Sequence, residues 1–463
     1  MAPSRSKNVK PRSGFEWRVL AAAAAVLLPG LLICAVREFQ AAKTKPAQPA
    51  ALSCPGPRPA LVEDQKVRQA PPLAEPAARV PFRDPVFGSC LTRLTDRRKD
   101  RTGGSGGLKN EYSRVQAFNA DESRILIRST EARWLLYDAL SLKPLGLLPF
   151  EGSVDPRWDA TDPDLLYYSE ETRLMRYSAK TGESLLVRDF ARDFPAQKLA
   201  AVRTRYEGSP SDDGRTWGFM AQDADWKTRA FLVFDARENR VVAKRDMRGA
   251  PGMDEVDSVT ISSKGNYFLA QCRYCEDGRQ GGADRPCGLM VYDRDLKRGR
   301  GLLRVVGHSD TALDAAGREV LVFQDNDTDE ISVLDLESGR ITALWPIDFS
   351  HTPLGFHFSG RAFRRPGWVL VSTHDGDPKS WTWMDDQVFA LELKPRGRIV
   401  RLAHTRSLVD EKQEHDYWAE PQATVNRDFT RVLFTTNWGR SGTDQVETYL
   451  IALEPEWGKR SFD

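Results

Sequence analysis

All six histidines of this 463-residue chain lie between residues 308 and 415: His308, His351, His357, His374, His404 and His415. Imidazole is the side chain best suited to accept protons or bind divalent metals near neutral pH. His308, in Gly307-His308-Ser309-Asp310, and His351, in Ser350-His351-Thr352-Pro353, each precede a turn and a strand-like run. Corresponding stretches elsewhere hold Glu111-Tyr112, Tyr206-Glu207, Asp254-Glu255 and Tyr417 to Gln422. Together they describe an opening lined by imidazoles, carboxylates and aromatic rings. Such a lining suits a divalent metal or a sugar-like ligand. Tyr112, Asp310, His357 and Arg361 are the candidate ligand-binding residues. The plainer reading of each histidine is a bond to neighbouring backbone. His357 alternates with Phe356 and Phe358, so it faces either an opening or a packed interface. His374 reads as a loop residue, and His404 and His415 read as surface residues.

Other chemistry is excluded by motif. There is no phosphate-binding Gly loop before a helix, no G-x-S-x-G and no H-E-x-x-H. The run Asp325 to Glu330 lacks the Gly and the spaced terminal Glu of a calcium-binding EF-hand loop, and reads as a polar hairpin. Cys272-Arg273-Tyr274-Cys275 is followed nearby only by Cys287, too few ligands for a structural zinc site. A Cys275–Cys287 disulfide would staple the loop EDGRQGGADRP between two strands; Cys272–Cys287, free thiols or a metal are the alternatives.

The elements that must position these residues recur. A turn followed by an apolar strand appears seven times, with its fourth position at 122, 163, 214, 265, 317, 367 and 429. Most steps are close to fifty residues. A second signature follows several turns, as in Val233-Phe234-Asp235 and Val291-Tyr292-Asp293. Four short strands per unit at this period predict an all-β, seven-bladed β-propeller over residues 86–457. Its ring would be sealed by the strand-like segment Ser89 to Thr95 pairing into the last blade. Inner strands line the channel, so the histidine-rich stretches become neighbours at one mouth.

The turn Pro210-Ser211-Asp212-Asp213-Gly214 resembles the WD-like repeats of TolB-type propellers. A more distant resemblance is to oligogalacturonate lyases, seven-bladed propellers that bind a divalent metal at the channel mouth and use a histidine-centred site for β-elimination on acidic sugars. By repeat position His308 resembles that family's base and His351 a metal ligand. The resemblance then implies Glu420 and Gln422 as further ligands, for manganese or calcium. This chain departs from the family's final blade, which supplies a Gln and a His-Pro-His pattern. Here Tyr417 stands where the Gln would be, and Glu420-Pro421-Gln422 gives a harder donor set. Arg203, Arg205 and Arg361 are available for a uronate carboxylate.

Residues 19–36 carry no charge and follow Arg5, Lys7, Lys10, Arg12 and Arg18, with Glu16 the one acid before them. This pattern predicts a transmembrane signal anchor over 19–36, with 1–18 in the cytoplasm and the propeller on the periplasmic or extracellular side. A cleaved signal peptide and a lipoprotein signal at Cys34 are the rivals. Residues 37–85, rich in Pro and Ala, read as a semi-rigid linker. The formal net charge of +2 leaves the chain beyond residue 18 slightly acidic, which excludes a bulk nucleic-acid binder. The sequence therefore points to an anchored, exported propeller that binds a protein or glycan at its channel face without catalysis. The alternative is a metal-dependent lyase of acidic saccharides.

Overall fold

The structure is a computed structural model that describes residues 52–57, 59–100, 106–152, 154–250, 256–276, 279–282, 285–350, 354–377 and 379–458. These belong to one compact unit, Gln48–Asp463. The expected membrane segment 19–36 and His351 lie outside the described residues. Among the described residues no helix is long and apolar enough to cross a membrane.

Seven antiparallel sheets form the blades of a propeller. Blade 1 runs from Leu108–Lys109 to Pro144–Glu151, blade 2 from Arg157–Trp158 to Ser184–Asp189, and blade 3 from Ala201–Arg203 to Arg240–Asp246. Blade 4 spans Val256–Ile261 to Gly299–Leu303, blade 5 Ser309–Leu313 to Ile341–Pro346, and blade 6 Gly355–Ser359 to Ile399–His404. Blade 7 contains Thr424–Val425, Arg431–Thr436 and Glu447–Ala452. Cys90–Arg93 pairs antiparallel with Glu447–Ala452, from Cys90 opposite Ala452 to Arg93 opposite Tyr449. A strand from the chain's beginning thus closes its end, as the sequence predicts.

The period-2 alternation of each strand explains the packing. In Arg431–Thr436, Val432 and Phe434 enter the core shared with blade 6, while Leu433 enters the core shared with blade 1. In Glu319–Asp325, Val320 and Val322 face blade 6, and Leu321 and Phe323 face blade 4. Every blade is apolar on both faces because each is sandwiched, so none is stable alone. The repeated turn has its fourth position in the left-handed region in every blade but the second, where it is Pro163. Glycine supplies it in blades 3 to 6, with φ of +70° at Gly214, +79° at Gly265, +74° at Gly317 and +87° at Gly367. Glu122 and Phe429 adopt it in blades 1 and 7 despite their side chains, at 60° and 59°.

The linker reading needs correction. Residues 52–85 are not a free spacer. Pro81–Arg83 is the outermost strand of blade 7, and the preceding residues form a strap against blades 6 and 7. Val62 bridges Arg401, and Arg401 donates to the Lys66 carbonyl at 2.6 Å. Leu52 is buried among Leu108, Phe118, Leu135 and Leu450. The segment has no core of its own, but its carbonyls and few apolar side chains complete those of the blades. The strap also covers His404, which is 1% exposed, lies tilted against the Phe87 ring at 4.7 Å and donates from Nε2 to the Arg68 carbonyl. His404 is therefore a buried structural residue, not a surface one. His415 is exposed.

Among the described residues there are two disulfides: Cys275–Cys287, and Cys54–Cys90, which ties the strap to the ring-closing strand. Cys272 is free, and burial pushes its thiol up to about 12.

Candidate metal centre

The inner strands all begin at one mouth of the channel. His308 immediately precedes the inner strand of blade 5, and His357 sits in the middle of that of blade 6. Glu420 and Gln422 come just before Thr424–Val425 of blade 7, and Lys109 lies on the inner strand of blade 1. His374 ends the second strand of blade 6, opposite Gly355 in register. A Cβ at Gly355 would fall 2.3 Å from the His374 ring, so glycine makes the room that ring occupies.

These placements bring His357, His374 and Glu420 together, with one ligand atom of each within 4.8 Å of the others. Nε2 of His357 donates to Glu420 Oε2 at 3.0 Å. Gln422 donates to the same oxygen at 3.2 Å and accepts from the buried Lys109 ammonium at 2.7 Å. Gln422 thus has both ends of its amide engaged and orients Glu420, which corrects its reading as a ligand. The His308 ring lies 4.6 Å from the His357 ring, and the Tyr112 hydroxyl and His308 Nδ1 are hydrogen-bonded at 3.1 Å. Tyr112 also meets the His357 ring edge-on at 5.4 Å.

Burial dominates the electrostatics. It holds His308, His357 and His374 down to about 3, with His357 adding to the effect on His308 and Lys109 to that on His357. All three imidazoles are neutral at pH 7, the form that binds metal. Burial also lowers Lys109 to about 8 and raises the Tyr112 hydroxyl well above its usual range. Nδ1 of His357 and Nε2 of His374 are shielded from solvent and have no hydrogen-bond partner. Two neutral imidazoles with bare nitrogens beside one carboxylate fit a divalent cation. His374 and Glu420 also line a cavity of about 710 Å³. Its walls carry Asp375, Asp410, Glu411 and Glu414 against Lys412, so the mouth is acidic.

Two other expectations are corrected. The charged groups of Asp310 and Arg361, expected to bind a ligand, are committed to each other. Arg361 donates to Asp310 at 2.8 and 3.1 Å and to Thr311 Oγ1 at 2.7 Å, and the two residues are 2% and 4% exposed. A buried fork and a buried carboxylate satisfy each other because neither can reach water. Arg203 bonds Gln222 and lies over Trp226, and Arg205 pairs with Asp257, so neither joins the histidines. His374, read as a loop residue, is the member that sequence reasoning missed. Its register opposite Gly355 sets its place, and a single sequence does not print register.

No protein-family model matches this chain, and no curated protein matches it by sequence. Solved structures do. An oligogalacturonate lyase in complex with manganese superposes with a TM-score of 0.56 at 14% identity, covering 86% of this chain and 98% of its own. An oligogalacturonate lyase from Vibrio parahaemolyticus gives 0.55 at 12%, covering 81% and 96%. TolB from Acinetobacter baumannii gives 0.32 at 15%, covering 64% and 63%, too low to bear on the argument. At these identities the likeness is one of fold: this chain is a seven-bladed β-propeller similar in architecture to oligogalacturonate lyases.

Proposed function

We propose that this chain is an exported, membrane-anchored propeller that binds a glycan through a divalent cation held at its histidine-lined mouth. The convergence of His357, His374 and Glu420 beside the cavity carries this reading. Those three residues would hold the cation, and the cation would supply a Lewis-acidic centre for sugar oxygens. Two imidazoles in the donor set favour manganese over calcium, and the structural neighbour in complex with manganese agrees with that choice. Gln422 and Lys109 keep Glu420 oriented. The acidic wall disfavours a polyanion approaching by itself, so neutral vicinal hydroxyls, or a carboxylate bridged by the cation, are the expected contacts. Two disulfides among the described residues support an oxidising compartment, and hence export of the domain by the 19–36 anchor.

A second reading is supported by the His308–Tyr112 pair next to the donor set. In an elimination on a uronate, the Tyr112 hydroxyl would pass its proton to neutral His308 and take the proton α to the carboxylate. A C=C bond would form as the glycosidic C–O bond breaks, and the leaving oxygen would take a proton from water.

One set of measurements tests both. The chelator-stripped chain is titrated with manganese and with calcium by calorimetry, then assayed on immobilised glycans with and without manganese. Manganese-dependent glycan retention supports the binding reading, and no manganese binding overturns it. Accumulation of unsaturated sugar product from a uronate oligomer replaces binding by the lyase reading. Anchoring is tested by membrane fractionation of the full chain and of a form lacking residues 1–36. Release of both into the soluble fraction would reject it.

A further inference from the structure

The inner strands end at the opposite mouth, where tight turns lead to the second strands. Arg157, Arg361 and Arg427 line one small cavity there, of about 30 Å³, together with Gln116, Ser211 and Phe363. Arg361 is committed to Asp310. Arg157 and Arg427 are different: among the described residues neither has a carboxylate at ion-pair distance. Arg157 is 3% exposed and donates to the carbonyls of Pro156, Tyr206 and Gly208. Those oxygens satisfy its N–H groups, and the buried Asp155 carboxylate opposes its charge without bonding to it. Arg427 donates to the Asp212 carbonyl at 2.8 Å, and its Nε, shielded from solvent, has no acceptor. The guanidiniums of Arg361 and Arg427 lie 5.0 and 5.7 Å from the ring centre of Phe363.

Burial and like charge strain this group. Desolvation holds Arg427 below the usual arginine range, and Arg364 and Arg361 push it lower, against Asp212 and Glu122. Desolvation does the same to Arg157, opposed by Asp155 and then Glu111, with Arg361 the smallest contribution in the lowering direction. Glu122 is itself bound to Arg431 and Asn426, so it does not neutralise Arg427 fully.

We propose that this mouth is an anion site, taking an oxyanion head group (carboxylate or phosphate) between Arg427 and Arg157. A guanidinium fork matches two oxygens of such a group. The cavity has room for a head group of a few atoms and none for a sugar ring. An oxyanion would give Arg427 Nε the acceptor it lacks and relieve the repulsion among the guanidiniums. The site is independent of the cation at the other mouth.

The test is thermal unfolding and calorimetry of the full chain with sodium phosphate, sodium acetate and sodium chloride at matched ionic strength. Phosphate or acetate is expected to raise the unfolding midpoint above chloride, and whichever acts identifies the head group. Arg427→Gln is expected to weaken that anion about tenfold and leave manganese binding unchanged. The exposed Arg364→Gln, which risks the fold least, is expected to weaken it by about twofold. Equal midpoints in all three salts would overturn the proposal. So would an anion response that survives in Arg427→Gln, or one that survives undiminished in Arg364→Gln if the first variant does not fold.

Discussion

The two mouths of one channel are built from the same repeated hairpin and carry opposite chemistry. At the mouth where inner strands begin, longer loops deliver His308, Glu420 and an acidic wall beside His357 of an inner strand. At the mouth where they end, tight turns leave room for short contacts and place Arg157 and Arg427 against backbone carbonyls. The Arg361–Asp310 pair lies between, joining blade 6 to blade 5. Repetition fixes where a side chain stands, and the loop residues alone decide what it does there. This is how a ring of near-identical blades acquires two distinct ends.

The largest expected effect falls on the pair between the mouths. Asp310→Ala leaves the Arg361 guanidinium buried without its partner and should cost about 3–5 kcal/mol in urea unfolding. A loss below about 1 kcal/mol would show that water reaches the pair.

Next in size is the separation of the two sites. His357→Ala should lower manganese affinity by about 100-fold in calorimetry and leave the response to phosphate or acetate intact. If both responses fall, the contrast between the mouths is not local.

Acid should act mainly through the histidine mouth. In the unfolded chain its imidazoles take up protons near 6.5, but folded they do so only at about 3. The unfolded chain binds more protons between these values, so stability is full above 6.5 and falls as pH drops toward 3. Thermal midpoints of chelator-stripped protein from pH 7 to pH 4 check this. A smaller acid loss in a variant with His308, His357 and His374 replaced by Gln or Asn would tie the effect to these rings.

The smallest effect sharpens the role of Gly355. Gly355→Ala puts a methyl group where the His374 ring stands. It should reduce manganese affinity by about tenfold with far-ultraviolet circular dichroism unchanged. Unaltered affinity would remove His374 from the donor set.

Much of the fold was legible because it repeats. The turns at 214, 265, 317 and 367 announce themselves by glycine at a left-handed position. The apolar runs after them alternate as sandwiched strands must. The ring-closing segment at Cys90–Arg93 was legible from its strand-like pattern before the first repeat. The site was legible in part. His308, Glu420 and Tyr112 were marked by their places relative to the turns and His357 by its alternation with Phe356 and Phe358, and the structure links the four in a chain of contacts. His374 was missed because it acts from a second strand, whose register depends on the partner strand. Asp310 and Arg361 were read as ligand-facing because a polar side chain at a channel position looks the same in sequence whether it meets a ligand or another side chain. The strap was misread because a segment without its own core can still complete a neighbour's.

What the sequence determined by itself is the all-β repeat, the blade count, the ring closure and the concentration of imidazole on a few adjacent blades. These follow from local turn chemistry and period-2 patterning, which act within a few residues. Tertiary structure alone decided which polar groups spend their bonds on each other and which are left with bare nitrogens. Pairing of Arg361 with Asp310 and of Gln422 with Lys109, and the meeting of His357, His374 and Glu420, join residues far apart in the chain. Burial then set their charge states, since desolvation depends on what surrounds a group and not on what precedes it in sequence.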